Sequence, residues 1–213
     1  MRSLTPLILI IVLLFAAKPL FAQETVNKGD IIIHIHGSGP DFMSKYQVDI
    51  YRRSNSIKII YAVFDSIRVS ATRKDTAFAR VSAKYMKGGG DSIENKRLSD
   101  AVYDYFERYS VYDRDSVTIA VRKDTAYNHL LERVAKAHTE DLLQTERNKN
   151  RNLLDGVHMA FTMVTASGKK VVGARSPRQT SHPLLYSLLS ETMKIGRTHK
   201  LGPFLHRKSF GGY

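Results

Sequence analysis

The chain has 213 residues and a formal net charge of +13, from 33 Lys and Arg against 20 Asp and Glu. It has no cysteine, which excludes disulfides, thiol nucleophiles and cysteine-bound metals. Its excess of cations reads first as charge that keeps the chain soluble and second as a surface for polyanionic partners: phosphorylated head groups, acidic glycans or nucleic acid.

The first element is a leader. Arg2 precedes the apolar run LTPLILIIVLLFAA, Leu4–Ala17, and KPLFAQ follows with the small residue Ala22 just before Gln23. A charged start, a short apolar stretch and a small exit residue describe a signal peptide cleaved between Ala22 and Gln23. The apolar run stops at Lys18-Pro19, short of the roughly 20 residues of a membrane-spanning helix. Removing Arg2 and Lys18 lowers the net charge from +13 by 2 to +11, and no second apolar stretch long enough to span follows. An exported chain without cysteine and without an Asn-X-Ser/Thr acceptor suits a bacterial envelope, periplasmic or extracellular. Nucleic acid then ranks last among the polyanions. The expected organisation is a signal peptide over 1–22, one α+β domain over 23–196, and a basic irregular arm over 197–213. A division of the domain into two ββα-like halves meeting near 90–115 is the alternative.

From Asp30 the pattern predicts strands. DIIIHIH is β-branched and stops at GSGP. YQVDIYRR and SIKIIYAVF flank the short turn SNS and alternate as a hairpin, with Tyr46, Val48 and Ile50 on one face and Ile57, Ile59, Tyr61 and Val63 on another. A helix is predicted after KGGG, opening at Ser99-Asp100, because Val102, Tyr105, Phe106 and Tyr109 fall at i, i+3, i+4 and i+7. A longer one is predicted from Thr125 to about Arg147. GVHMAFTMVTASGKKVVGARSP reads as a hairpin turning at Gly168. TSHPLLYSLLSETMKIG reads as a helix with Ser181 as cap, Pro183 in the first turn and a stop at Gly196.

One phrase is written twice: DSIRVSATRKDTAF from Asp65 and DSVTIAVRKDTAY from Asp115. The reading is a strand, an exposed basic turn and an Asp-Thr pair that starts a helix, with Phe78 and Tyr127 buried in the first turn. Residues 77–86 also fit a strand, since Ala79, Val81, Ala83 and Tyr85 alternate with polar partners; helix is preferred because the second copy is the clearer one. A phosphate site at RKDT would need free amides that the capping Asp occupies, so the cap is the better reading.

Few residues carry chemistry by pattern. His34 and His36 project from one strand face and form a candidate metal pair, with Asp41, His158, His182 or a distant Glu as a further ligand. Ser38 sits in HGSGP, which lacks the G-x-S-x-G elbow of a nucleophilic serine. The aromatics of AVYDYFERYSVY read as core, with Tyr103 and Tyr112 outside; a sugar- or peptide-binding surface is the rival reading. Lys169, Lys170, Arg175, Arg178, Arg197, Lys200, Arg207 and Lys208 are the candidate anion-binding residues. No cofactor motif is legible and none is expected.

The expectation is an α+β fold: antiparallel hairpins with three or four helices on one side, ending in a strand-turn-strand-helix unit. The leading function is a non-catalytic exported protein that binds an anionic or proteinaceous partner in the envelope. An envelope hydrolase assisted by a metal at His34 and His36 is the second reading, and an inhibitor or immunity-type protein the third.

Overall fold

The computed structural model describes residues 26–39, 45–149 and 156–202. Among these residues six strands are formed: β1 (Ile31–Ser38), β2 (Lys45–Arg52), β3 (Ser56–Ile67), β4 (Ser110–Ala120), β5 (His158–Thr165) and β6 (Gly168–Arg175). They pair antiparallel throughout in the order β4-β3-β2-β1-β5-β6. The central position of β1 explains its composition. Ile31, Ile32 and Ile33 are all buried, so the strand begins apolar on both faces and alternates only from His34 onward.

The helices are α1 (Val69–Lys74), α2 (Thr76–Lys87), α3 (Ser92–Tyr109), α4 (Thr125–Lys136), α5 (Thr139–Leu143), α6 (Thr145–Asn148) and α7 (Pro183–Thr198). One side of the sheet presents Ile33, Ile35, Val48, Ile50, Ile59, Phe161 and Met163, all buried. Against them α4 brings Leu131 and Val134, α5 brings Leu142, and α7 brings Leu185, Leu188, Leu189 and Met193. Each such side chain contributes about 1.5–3 kcal/mol by leaving water, so this interface is the main source of stability.

A polar pin crosses the same interface. Tyr61 Oη donates to the Thr192 carbonyl at 2.6 Å, and Thr192 Oγ1 donates to the Leu188 carbonyl at 2.6 Å. With that proton used, Thr192 Oγ1 accepts from Tyr127 Oη at 2.7 Å. Burial pushes both phenols far above the ordinary tyrosine range, so both remain donors. Thr192→Val therefore leaves the Tyr127 hydroxyl buried without an acceptor and should cost about 1–3 kcal/mol in urea unfolding. Tyr127→Phe removes the donor and leaves Thr192 bonded to Leu188, so its cost should be the smaller, about 0.5–1.5 kcal/mol. Equal costs would contradict this donor assignment.

The repeated phrase divides. Its second copy is strand as far as Ala120, pairing Ile57 with Ile119 and Ser56 with Ala120, before a 3-10 turn at Val121–Lys123. Its first copy leaves the sheet at Ile67, where the ladder ends opposite Ser110, and winds into α1 instead. Both copies then cap a helix with aspartate. Asp75 accepts from Ala77 N and Phe78 N at 2.9 Å, and Asp124 accepts from Tyr127 N at 3.0 Å. Residues 77–86 are helix, and the strand reading fails because no partner strand lies beside them. Arg73, Lys74, Arg122 and Lys123 are exposed and Tyr127 is buried, whereas Phe78 is half-buried against Tyr105 and Phe106.

Four helix boundaries differ from expectation. Helix α3 starts at Ser92, because Asp91 caps it by accepting from Glu94 N at 2.7 Å, and Ser99-Asp100 lies mid-helix. The long helix expected from Thr125 ends at Lys136, where Lys170 Nζ donates to the carbonyls of Ala135 and Ala137 at 3.1 and 2.5 Å, satisfying its open end. The break turns the chain so that α5 can bury Leu142. His182 rather than Ser181 precedes α7, since Ser181 Oγ accepts from Arg178 N at 3.0 Å, and the helix continues past Gly196 to Thr198.

Candidate functional site

Strand alternation sends every second residue to the side away from α4 and α7. There β1 places His34 and His36, β2 Lys45, Gln47 and Asp49, β5 His158, Ala160 and Thr162, and β6 Lys169, Val171 and Arg175. His36, His158, Ala160, Val171 and Arg175 are exposed, so this part of the sheet faces solvent.

The last turns of α3 overhang one end of this face, because Ser110 leads directly into β4. Glu107 is the centre of the contact. Lys45 Nζ donates to its Oε2 at 2.9 Å, Gln47 Nε2 to its Oε1 at 3.4 Å, and Tyr112 Oη also to Oε1. Lys45 is nearly buried, with 5% of its side chain exposed, and its ammonium lies 4.0 Å from the centroid of the Tyr103 ring. Tyr112 in turn packs edge-on against Phe64, its cross-strand partner on β3, at 6.2 Å. Burial pushes the Glu107 carboxyl up, but the bonds from Tyr112 and Lys45 outweigh it and hold the group below the ordinary glutamate range. Burial, then the bond to Glu107, pushes the Tyr112 phenol well above its ordinary range.

Between this cluster and the open face lies a cavity of about 480 Å³, lined by His36, Ser38, Tyr103, Glu107, Tyr112 and His158 among others. Arg175, paired across from His158, donates to His158 Nε2 from Nε at 3.1 Å and Nη2 at 2.6 Å. Arginine has only donors, so Nε2 accepts and the imidazole proton sits on Nδ1. That lone pair is spent on Arg175, so it is not free to take a proton from Ser38, which stands opposite His158 in the register. At the other end of the sheet a second cavity, about 620 Å³, is bordered by Asp30, Arg52 and Glu132. Arg53, outside it, holds Asp30 at 2.6 Å and Arg52 holds Glu132 at 3.0 Å, and Lys136 also lines it.

His34 and His36 share a strand face as expected, but they are differently engaged. His34 Nδ1 lies 2.7 Å from Asp49 Oδ1 and its ring meets Tyr51 edge-on, while His36 borders the cavity. Of the further ligands considered, His158 is on this face and His182 is buried beside Ser181 and Asn148. Asp41 lies outside the described residues. Among the described residues no group of three or more His, Cys, Asp or Glu is placed to hold a metal ion.

The expected basic set is not one patch. Lys169 and Arg175 are on the open face. Lys170 points to the opposite side, where burial lowers its pKa beside the end of α4. Arg178 is exposed in the turn before α7, and Arg197 and Lys200 are exposed at its far end. Arg207, Lys208, Ala22 and Gln23 lie outside the described residues. Sequence reasoning did not find the Lys45–Glu107 pair. Its members are 62 residues apart, and Lys45 shares the polar phase of its strand with Gln47 and Asp49, so alternation gave no signal of its burial.

These features define a two-layer α+β protein whose antiparallel sheet is backed by helices on one side and carries a groove on the other. No family model, curated protein or solved structure matches the chain. Among the described residues no helix is long and apolar enough to cross a membrane.

Proposed function

We propose that this chain is a non-catalytic binding protein of the bacterial envelope, exported through its N-terminal leader, that takes an anionic group of an envelope component into the groove beside α3. The observation that carries this reading is the convergence of His36, His158 with Arg175, and the half-exposed Tyr103 ring on one cavity whose carboxylate, Glu107, is already neutralised by Lys45. An entering anion meets donors and an aromatic wall, and the groove's own negative charge is spent. Binding is favoured over acid–base chemistry because Glu107 and Tyr112 are driven away from neutrality in opposite directions, and a general acid or base works best with a pKa near the working pH.

The test is a titration of residues 23–213 against uronate-bearing or phosphate-bearing glycans, anionic vesicles and neutral counterparts. Salt-sensitive binding to an anionic member, lost in Arg175→Ala and in His36→Ala, is the expected result. Equal retention on neutral matrices, or anion binding indifferent to both substitutions, would rule the groove out. Stoichiometric zinc in the purified protein would move the reading to the metal-assisted hydrolase.

A further inference from the structure

Helices α2 and α3 form a hairpin standing off the sheet. Helix α2 has no buried residue, and Phe78 packs it on Tyr105 and Phe106 of α3. At the tip the chain turns through Gly88, Gly89 and Gly90, the first two at φ +62° and +87°, a conformation that glycine adopts without strain. The tip is nevertheless a defined structure. Lys84 and Glu94 close it with an ion pair at 2.6 Å, Asp91 caps α3, and Asn95 Nδ2 donates to the Gly90 carbonyl at 2.8 Å.

Beside these glycines stand Met86, 80% exposed, and Ile93, 78% exposed, the most exposed large apolar side chains among the described residues. Tyr85 adjoins them, 42% exposed. Between residues 80 and 100 are Arg80, Lys84, Lys87, Lys96 and Arg97 against Asp91, Glu94 and Asp100, five cations less three acids, or +2, with Lys84 paired to Glu94 and Lys96 to Asp100. An apolar projection ringed by cations is a poor solution for a surface that only meets water. A protein partner would have to offer a cavity shaped for a convex tip, with acids placed around its mouth. A bilayer with anionic head groups supplies both without a preformed shape: it deforms around the apolar side chains and attracts the surrounding lysines and arginines.

We infer that the tip of the α2–α3 hairpin docks on an anionic lipid surface, with Met86 and Ile93 entering the head-group boundary and Lys87 and Arg97 meeting the phosphates. This contact is separate from the groove and does not rest on its ligand.

The chain has no tryptophan, so Met86→Trp reports from one position. With vesicles of phosphatidylglycerol and phosphatidylcholine, its emission should shift to the blue, and the shift should weaken with added salt and vanish on pure phosphatidylcholine. In co-sedimentation of the otherwise unaltered chain, Met86→Ser with Ile93→Ser should weaken partitioning by roughly tenfold per side chain, about 100-fold together, with an unchanged circular dichroism spectrum and urea midpoint. Three results would overturn the inference. One is a Met86→Trp emission indifferent to anionic vesicles. Another is equal partitioning of the double variant and the parent, which would place lipid at the groove or elsewhere. The third is lipid-free self-association abolished by the double substitution, which would assign the tip to a second copy of the chain.

Discussion

Phe161→Ala is expected to destabilise the protein by about 3–5 kcal/mol, enough to threaten a domain whose total stability is of the order of 5–15 kcal/mol. Phe161 is fully buried in the middle of β5, paired on one side with Ile35 and on the other with Val172. Ladders on both sides hold its backbone in place, so the sheet cannot close over the space the ring leaves, and the cavity cost adds to the lost transfer energy. Phe161→Leu keeps most of the volume and should cost less than about 1.5 kcal/mol. Val171 on the neighbouring strand faces the other way and is 60% exposed, so Val171→Ala should change stability by no more than about 0.5 kcal/mol. Urea denaturation of the three variants tests the assignment of faces. A costly Val171→Ala with a harmless Phe161→Ala would mean that the register is shifted by one residue.

Glu107→Ala is expected to cost about 2–3 kcal/mol, less than a fully buried pair because a third of the Glu107 side chain reaches solvent. The loss falls on Lys45. With its carboxylate partner removed, an ammonium that is 95% enclosed keeps the Tyr103 ring but loses its charge-assisted bond, and Gln47 and Tyr112 lose their common acceptor. Lys45→Met should be the milder change, because the Glu107 carboxylate it leaves behind is open to water and still bonded to Tyr112. The same pair predicts a pH dependence. Since the folded-state pKa of Glu107 lies below the ordinary glutamate value of about 4.3, its contribution is complete above that value and is lost as the pH falls through the lower folded value. The urea midpoint should therefore drop on acidification across that window, and the drop should be smaller in Glu107→Gln. An acid dependence unchanged in Glu107→Gln would show that other carboxylates carry it.

Much of the fold is legible in the sequence. The hairpin of β2 and β3, the hairpin of β5 and β6 turning at Gly168, and the apolar stripe of α7 all follow from periods of 2 and 3.6, which depend only on neighbours in sequence. The aspartate caps of α2 and α4 were legible for the same reason: a cap is a bond across three residues. Where a choice depended on distant chain, local pattern failed. The two copies of the repeated phrase have nearly the same letters, yet one is strand to Ala120 and the other helix from Val69, because only the second has β3 to pair with along its length. The end of α4 was missed because Lys170, 34 residues beyond Lys136, satisfies its carbonyls.

The sequence by itself determined an α+β chain, which faces of its strands are apolar and that Asp75 and Asp124 start helices, since these are set by alternation and by bonds between near neighbours. Only the tertiary structure decided that Lys45, Glu107, Tyr112 and Tyr103 meet beside His36 and His158. It also scattered the expected basic residues over separate surfaces and raised Met86 and Ile93 on a projecting tip. The physical reason is common to all three. Charge pairing and exposure depend on which strands lie side by side and which helix covers them, and strand order in a sheet is set by the packing of the whole core rather than by any one segment.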